Sequence, residues 1–215
     1  MSQAEKQPRF KWVGESLCLD FNNTVDWAEL EPVAGELLPS YERLVAWGEE
    51  AGLLSRGEGQ QLLGRAKQRP EAARRALERA WELRSTIHRL FFAILRGELP
   101  EELDRLNTLL AEVPAQVRPD TTGPTFAWGW PSGANDLGGM LWPVVWSAGQ
   151  LLTSPDVARV KTCANDRCGW LFLDASRKHN RKWCEMGVCG NRAKARRFYR
   201  RRKRLARTND ARTGR

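Results

Sequence analysis

Cys163 and Cys168, and then Cys184 and Cys189, form two Cys-x4-Cys pairs separated by 15 residues. Thiolates are soft ligands, and four of them satisfy the tetrahedral preference of Zn2+. Two knuckles, each giving two sulfurs, close such a site if the chain between them folds back. Trp170-Leu-Phe-Leu-Asp174 supplies a strand for that return, and residues 176–181 a polar connection. The x4 spacing is wider than that of a standard C-x2-C ribbon. Four sulfurs leave no open position, so the spacing predicts one structural Zn2+ and no chemistry on the metal. His179 lies five residues before Cys184 and could replace a sulfur, but it reads as a surface residue. Four unrelated buried thiols would not explain the repeated spacing.

The second pair runs straight into Gly190-Asn191-Arg192. Gly190 suits a tight turn and Asn191 a helix N-cap. Residues 190–207 hold ten basic residues in 18. On a helical wheel Ala195, Phe198, Tyr199, Leu205 and Ala206 gather on one side, which predicts an apolar face against Trp170, Phe172 and Trp183. Arg192, Arg196, Arg200, Lys203 and Arg207 gather nearly opposite, as an outward cationic stripe. Like charges at i,i+4 repel, and a polyphosphate would relieve them. The candidate DNA contacts are Arg192, Lys194, Arg196, Arg197, Arg200, Arg201, Lys203, Arg204 and Arg207. A helix fits the major groove of duplex DNA, whereas specific RNA readers use stacking aromatics, few of which this segment is expected to expose. An RNA-binding or protein-interaction module, its basic helix docked on an acidic partner, is the competing reading.

Charge and composition frame this segment. Residues 161–215 carry 18 Lys and Arg against 4 Asp and Glu, while residues 1–160 carry 17 against 22, so the basic tail alone sets the net charge of +9. Such asymmetry marks a polyanion-binding end on an ordinary acidic domain. No apolar stretch follows the charges of MSQAEKQPRFKW, so no signal peptide is expected. No run approaches 18 apolar residues, so no membrane span is expected. Five cysteines in that setting read as reduced thiols in a cytoplasmic, nucleoid-associated protein.

The elements that must position the finger read mainly as helix. The expected helices run from Glu15 to Asp26, from a Ser40 cap to Ala51, and from the Ser55-x-x-Glu58 capping box to Pro70. Pro70 opens the longest, through Arg96 with Gly97 as its stop, and Pro100 starts another through Val113. Residues 115–118 and 125–130 flank a hairpin turn. Asn135 caps a helix from Asp136 to Leu152 that Pro143 should kink. Thr153-Ser154-Pro155 is the natural boundary. The expected fold is thus mainly α with a small β-hairpin element: a helical domain over 1–155, a treble-knuckle-like four-cysteine finger with a basic helix over 156–207, and a solvated tail over 208–215. The finger is too small to bury a large core, so loss of metal should unfold it while leaving the helical part intact.

Cys189-Gly190-Asn191-Arg192 resembles the tetrapeptide that names the CGNR-type zinc finger family. Trp183-Cys184-x-Met186-x-x-Cys189 looks like that family's second knuckle and Cys163-x4-Cys168 its first. Phe10-x-Trp-Val-Gly14 and Leu17-Cys-Leu-Asp-Phe-Asn-Asn-Thr24 are similar to the opening of the helical ABATE domain usually paired with that finger; Asn22 stands where that pattern commonly has an aliphatic residue. The resemblance implies a bacterial transcription regulator, linked to stress response, with the finger as its DNA-binding part.

A regulator's helical part should sense a small polar effector or form a homodimer. Asp20, Asn23 and Thr24 on the first helix, with Arg84 and His88 on the long one, are the candidate ligand residues; the plainer expectation is an Asp20–Arg84 ion pair with hydrogen-bonded neighbours. Trp128, Trp130, Trp142 and Trp146 read as core before an aromatic cage, and Cys18 as a buried thiol. Two histidines outside any catalytic motif, with no Gly-rich phosphate loop, H-E-x-x-H or G-x-S-x-G, argue against an enzyme.

Overall fold

The computed structural model describes residues 9–28, 31–119, 123–130, 136–200 and 202. Its helices are α1 (Leu17–Asn22), α2 (Tyr41–Glu50), α3 (Arg56–Gln68), α4 (Pro70–Leu95), α5 (Leu103–Glu112), α6 (Trp142–Thr153) and α7 (191–200). Three two-stranded antiparallel sheets accompany them: β1 (Asp26–Ala28) with β2 (Glu31–Ala34), β3 (Gln116–Pro119) with β4 (Phe126–Gly129), and β5 (Val160–Thr162) with β6 (Leu171–Leu173). The chain is mainly helical, as its sequence implies, and the described residues form three small two-stranded sheets.

Local chemistry sets the helix ends where the sequence marks them. Ser40 Oγ accepts from Arg43 N to cap α2. Ser55 and Glu58 close a reciprocal capping box on α3, worth about 1 kcal/mol. Pro70 opens α4, and Gly97 beyond its end takes a φ of 73°. Two helices differ from expectation. α1 stops at Asn22 because Asn23 turns its side chain to β6 and Trp27 joins β1. Pro143 does not kink α6; it sits in the first turn, where its missing N–H costs nothing, and a short 3-10 turn over Gly139–Leu141 precedes it. The expected cap Asn135 and the tip of the β3–β4 turn lie outside the described residues.

One core joins all of this. α1 packs on α4, α6 and β6, and Phe21 meets the Trp47 ring edge-on at 4.9 Å. Val160 and Leu171 of the β5–β6 hairpin belong to the same core as Leu19, Leu44, Ile87 and Val144. The β5–β6 hairpin, beyond the expected boundary at Pro155, thus packs on the helical domain. Leu173 N donates to Gly14 O, Trp27 N to Cys168 O and Trp170 Nε1 to Val25 O, so the hairpin that carries the first knuckle is built into the helical domain. A second, smaller cluster gathers the four cysteines around Phe172.

Candidate metal centre and nucleic-acid interface

The sulfurs of Cys163, Cys168, Cys184 and Cys189 all lie within 4.8 Å of one another, and each cysteine is buried. Cys184 Sγ is 3.7 Å from both Cys168 Sγ and Cys189 Sγ. A zinc tetrahedron with Zn–S bonds of about 2.3 Å has edges of about 3.8 Å, so the four sulfurs fit one ion. Among themselves, the thiols hold their protons unequally. Hydrogen bonds from Cys168 and Cys184 push the Cys163 thiol far down, and sharing with Cys163 pushes Cys168 and Cys184 up. Only a cation between them would let all four ionise at this spacing. His179 stays out of the cluster, its Nδ1 against Asp174 O at 3.1 Å.

Each knuckle is held by backbone and by second-sphere side chains. Cys163 N donates to Trp170 O at 2.8 Å, and Cys168 N to Asn165 O at 2.9 Å. Gly169 has a φ of 66°, and a Cβ there would lie 2.6 Å from Trp27 Cβ, so only glycine lets the first knuckle dock on Trp27. A π-helical turn over Met186–Gly190 forms the second knuckle. Arg181 pins it: its guanidinium donates to Cys184 O, Trp183 O and Val13 O, and lies 4.3 Å from the centre of the Phe172 ring.

Asp174 organises the connection between the knuckles. Its carboxylate is fully buried and accepts from Lys161 Nζ at 2.6 Å, Ser176 N at 3.0 Å, Ser176 Oγ at 2.5 Å and Arg181 N at 2.9 Å. Burial alone would raise its pKa, but Lys161, Ser176 and the backbone donors outweigh it and hold the carboxyl well below the usual range. Neither Asp174 nor Arg181 was legible as a site residue. The available signal was scarcity: Asp174 is one of only four carboxylates in the basic segment.

The basic helix α7 leaves the second knuckle at Asn191, but its orientation reverses the expectation. Arg196 turns inward, donating to Asp166 Oδ1 at 2.7 Å and to Asn165 Oδ1 at 2.5 Å. Asn165, itself buried, donates to Cys189 Sγ at 3.4 Å. A continuous path thus runs from a metal ligand to the middle of the helix. Arg192, Lys194, Arg197 and Arg200 are exposed. Phe198 and Tyr199 are 57% and 67% exposed: they do not cover the knuckles, and the expectation that this segment exposes few aromatics fails. Phe172 is already enclosed by the cysteines and Arg181, so no apolar gap is left for them to fill. Arg201, Lys203, Arg204 and Arg207 lie outside the described residues.

Residues 15–155 match a family model described as "ABATE: Putative stress-induced transcription regulator". The chain belongs to the ABATE family. Residues 159–202 match the CGNR zinc finger, so the four buried thiolates are the ligands of that finger's single structural zinc. No curated protein matches the chain. No helix among the described residues is long and apolar enough to cross a membrane.

The ABATE domain uses its candidate ligand residues internally. Asn23 makes a two-way bond with Leu171, donating to its O at 2.8 Å and accepting from its N at 3.0 Å. Thr24 Oγ1 donates to Phe21 O, and Arg84 donates to Thr24 Oγ1 at 3.0 Å. The expected Asp20–Arg84 ion pair does not form: Arg84 pairs instead with Glu36, at 2.5 Å and 2.8 Å. Asp20 accepts from Gly14 N at 2.8 Å, and burial pushes its carboxyl up to about 6. His88 is fully buried, stacks on Trp27 at 4.0 Å and shares a hydrogen bond with Asn22 Oδ1. Trp128 and Trp146 approach to 5.2 Å, but Trp128 is 49% exposed and only partly core. Cys18 is buried as expected, and that burial raises its thiol to about 11. A cleft of 220 Å3 lies elsewhere in the domain, lined by Arg79, Glu82, Arg105, Glu112, Asp136 and Trp142 among others.

Proposed function

We propose that this protein is a DNA-binding transcription regulator, not an enzyme, whose structural zinc fixes the direction in which a cationic helix meets duplex DNA. The observation that carries the reading is the path from Cys189 through Asn165 to Arg196, which ties the metal centre to the helix that bears the positive charge. From 190 to 207 the chain carries no Asp or Glu, and the nearby Asp166 is occupied by Arg196. The exposed cations are therefore available to phosphates, whose contacts supply affinity and salt dependence. A closed tetrathiolate leaves zinc no coordination position for substrate, which supports a structural role. The helical domain takes the sensing or self-association role. With Asn23, Thr24, Arg84 and His88 engaged within the fold, a small polar effector is better accommodated by the 220 Å3 cleft than by those residues. Such a regulator works in the cytoplasm on the nucleoid.

Duplex binding by the zinc-loaded full chain over a salt series tests the reading. Retention on duplex DNA with a steep salt slope is expected. A tight complex with an acidic protein that added DNA leaves unchanged would favour the protein-interaction reading instead.

A further inference from the structure

Phe198 and Tyr199 are adjacent aromatic residues, more than half exposed, on a helix whose other exposed residues are mostly cationic. Their rings meet edge to face at 5.9 Å, and the Arg202 guanidinium lies 5.8 Å from the centre of the Phe198 ring. Large apolar side chains in that setting cost solvation unless a partner covers them. Arg196 anchors the helix on the face opposite Phe198, so Phe198 does not turn inward to the knuckles without breaking the bonds to Asp166 and Asn165, while Tyr199, one turn from Arg196, is still 67% exposed. The partner must tolerate Lys194 and Arg202, which flank Phe198 one turn away on either side, and Arg197 and Arg200 further round the helix, all of them exposed. A second copy of this helix would bring like charges together and is disfavoured. A partner that combines phosphates with flat apolar faces satisfies both demands.

We infer that Phe198 and Tyr199 contact nucleobases, stacking on or wedging between them while the flanking Lys and Arg hold the phosphates. This rests on the nucleic-acid reading above and sharpens it: α7 does more than read the backbone, and it favours DNA whose base faces are accessible, at an unpaired or easily unstacked step. Aromatic side chains that stack on bases, and apolar wedges that part base steps, are the two physical forms such a contact takes.

The test compares the full zinc-loaded chain with the Phe198→Ala/Tyr199→Ala variant on three probes of one sequence: intact duplex, duplex with a central unpaired bubble, and single strand. Both side chains are exposed, so circular dichroism and zinc content should stay unchanged. The wild type should prefer the bubble to the intact duplex. The variant should lose about 5- to 140-fold on the bubble, the equivalent of one stacked base at 1–3 kcal/mol. Its salt slope should stay the same, whereas Lys194→Ala should lower that slope by about 1. A base analogue at the bubble should change fluorescence with the wild type and not with the variant. Equal binding by variant and wild type on every probe overturns this inference and leaves the nucleic-acid reading standing. Failure of the wild type to bind any probe overturns both. Binding of the wild type to anionic vesicles, lost in the variant while DNA binding is kept, would assign the pair to a membrane surface and also overturn it.

Discussion

Two carboxylates separated by chain and environment show how single residues set the pH response. Asp20 is lifted to about 6 by burial, above its ordinary value of 3.8. The folded state then holds its proton more tightly than the unfolded chain, so this group's contribution to stability falls as pH rises from about 4 to about 6. Titration of the Asp20 carboxyl by carbon NMR should give a midpoint near 6; a midpoint near 4 would contradict the burial argument. Asp174 has the opposite sign. Its pKa is held down, so its stabilisation is full above the ordinary carboxylate range and is lost on acidification below it. Asp174→Asn should therefore lower the melting temperature at pH 7 and flatten its acid dependence. At Asn23, truncation to Ala strands the backbone N–H and C=O of Leu171, both buried, and should cost about 2–5 kcal/mol in chemical denaturation. A cost below 1 kcal/mol would mean that water replaces the amide.

At the scale of elements, some boundaries are written locally and some are not. Ser40, the Ser55–Glu58 box, Pro70 and Gly97 act within one turn of where they stand, and the helices they delimit match expectation. The four zinc ligands were equally legible, because repeated spacing is itself the requirement of the metal. The end of α1 was not: it depends on Asn23 meeting Leu171, 148 residues away. The partner of Arg84 was misassigned for the same reason, since helical periodicity says nothing of Glu36 on a separate segment. The facing of α7 was inverted because the wheel ranks hydrophobicity but cannot see that Phe172 is already enclosed, or that Asp166 and Asn165 await an arginine. Arg196 is thus a positioning residue. Arg196→Ala should keep the zinc stoichiometry at one and still weaken DNA binding by more than the loss of one phosphate contact, whereas Arg197→Ala should cost about one contact. Equal effects in a salt-series titration would count against the anchoring role.

Over the whole molecule, the hairpin and first knuckle of the finger pack on the ABATE domain. Trp27 stacks on His88 of α4 and donates its backbone N–H to Cys168 O, so the long helix, the first hairpin and the first knuckle are in contact. Through these contacts, metal loss is expected to reach the helical core as well as the finger. Structural zinc contributes on the order of 10–16 kcal/mol in isolated fingers, and here part of that should stabilise the shared core. Chelation, or Cys184→Ser, should lower the melting temperature of the α-helical signal rather than remove a separate finger transition. If zinc aims α7, DNA affinity across a salt series should differ between the zinc-loaded and the metal-free full chain. Tight binding with a steep salt slope is expected for the loaded protein, with a large loss of both on chelation and recovery on adding Zn2+. Metal-free protein that binds with the same affinity and slope would contradict that role for zinc.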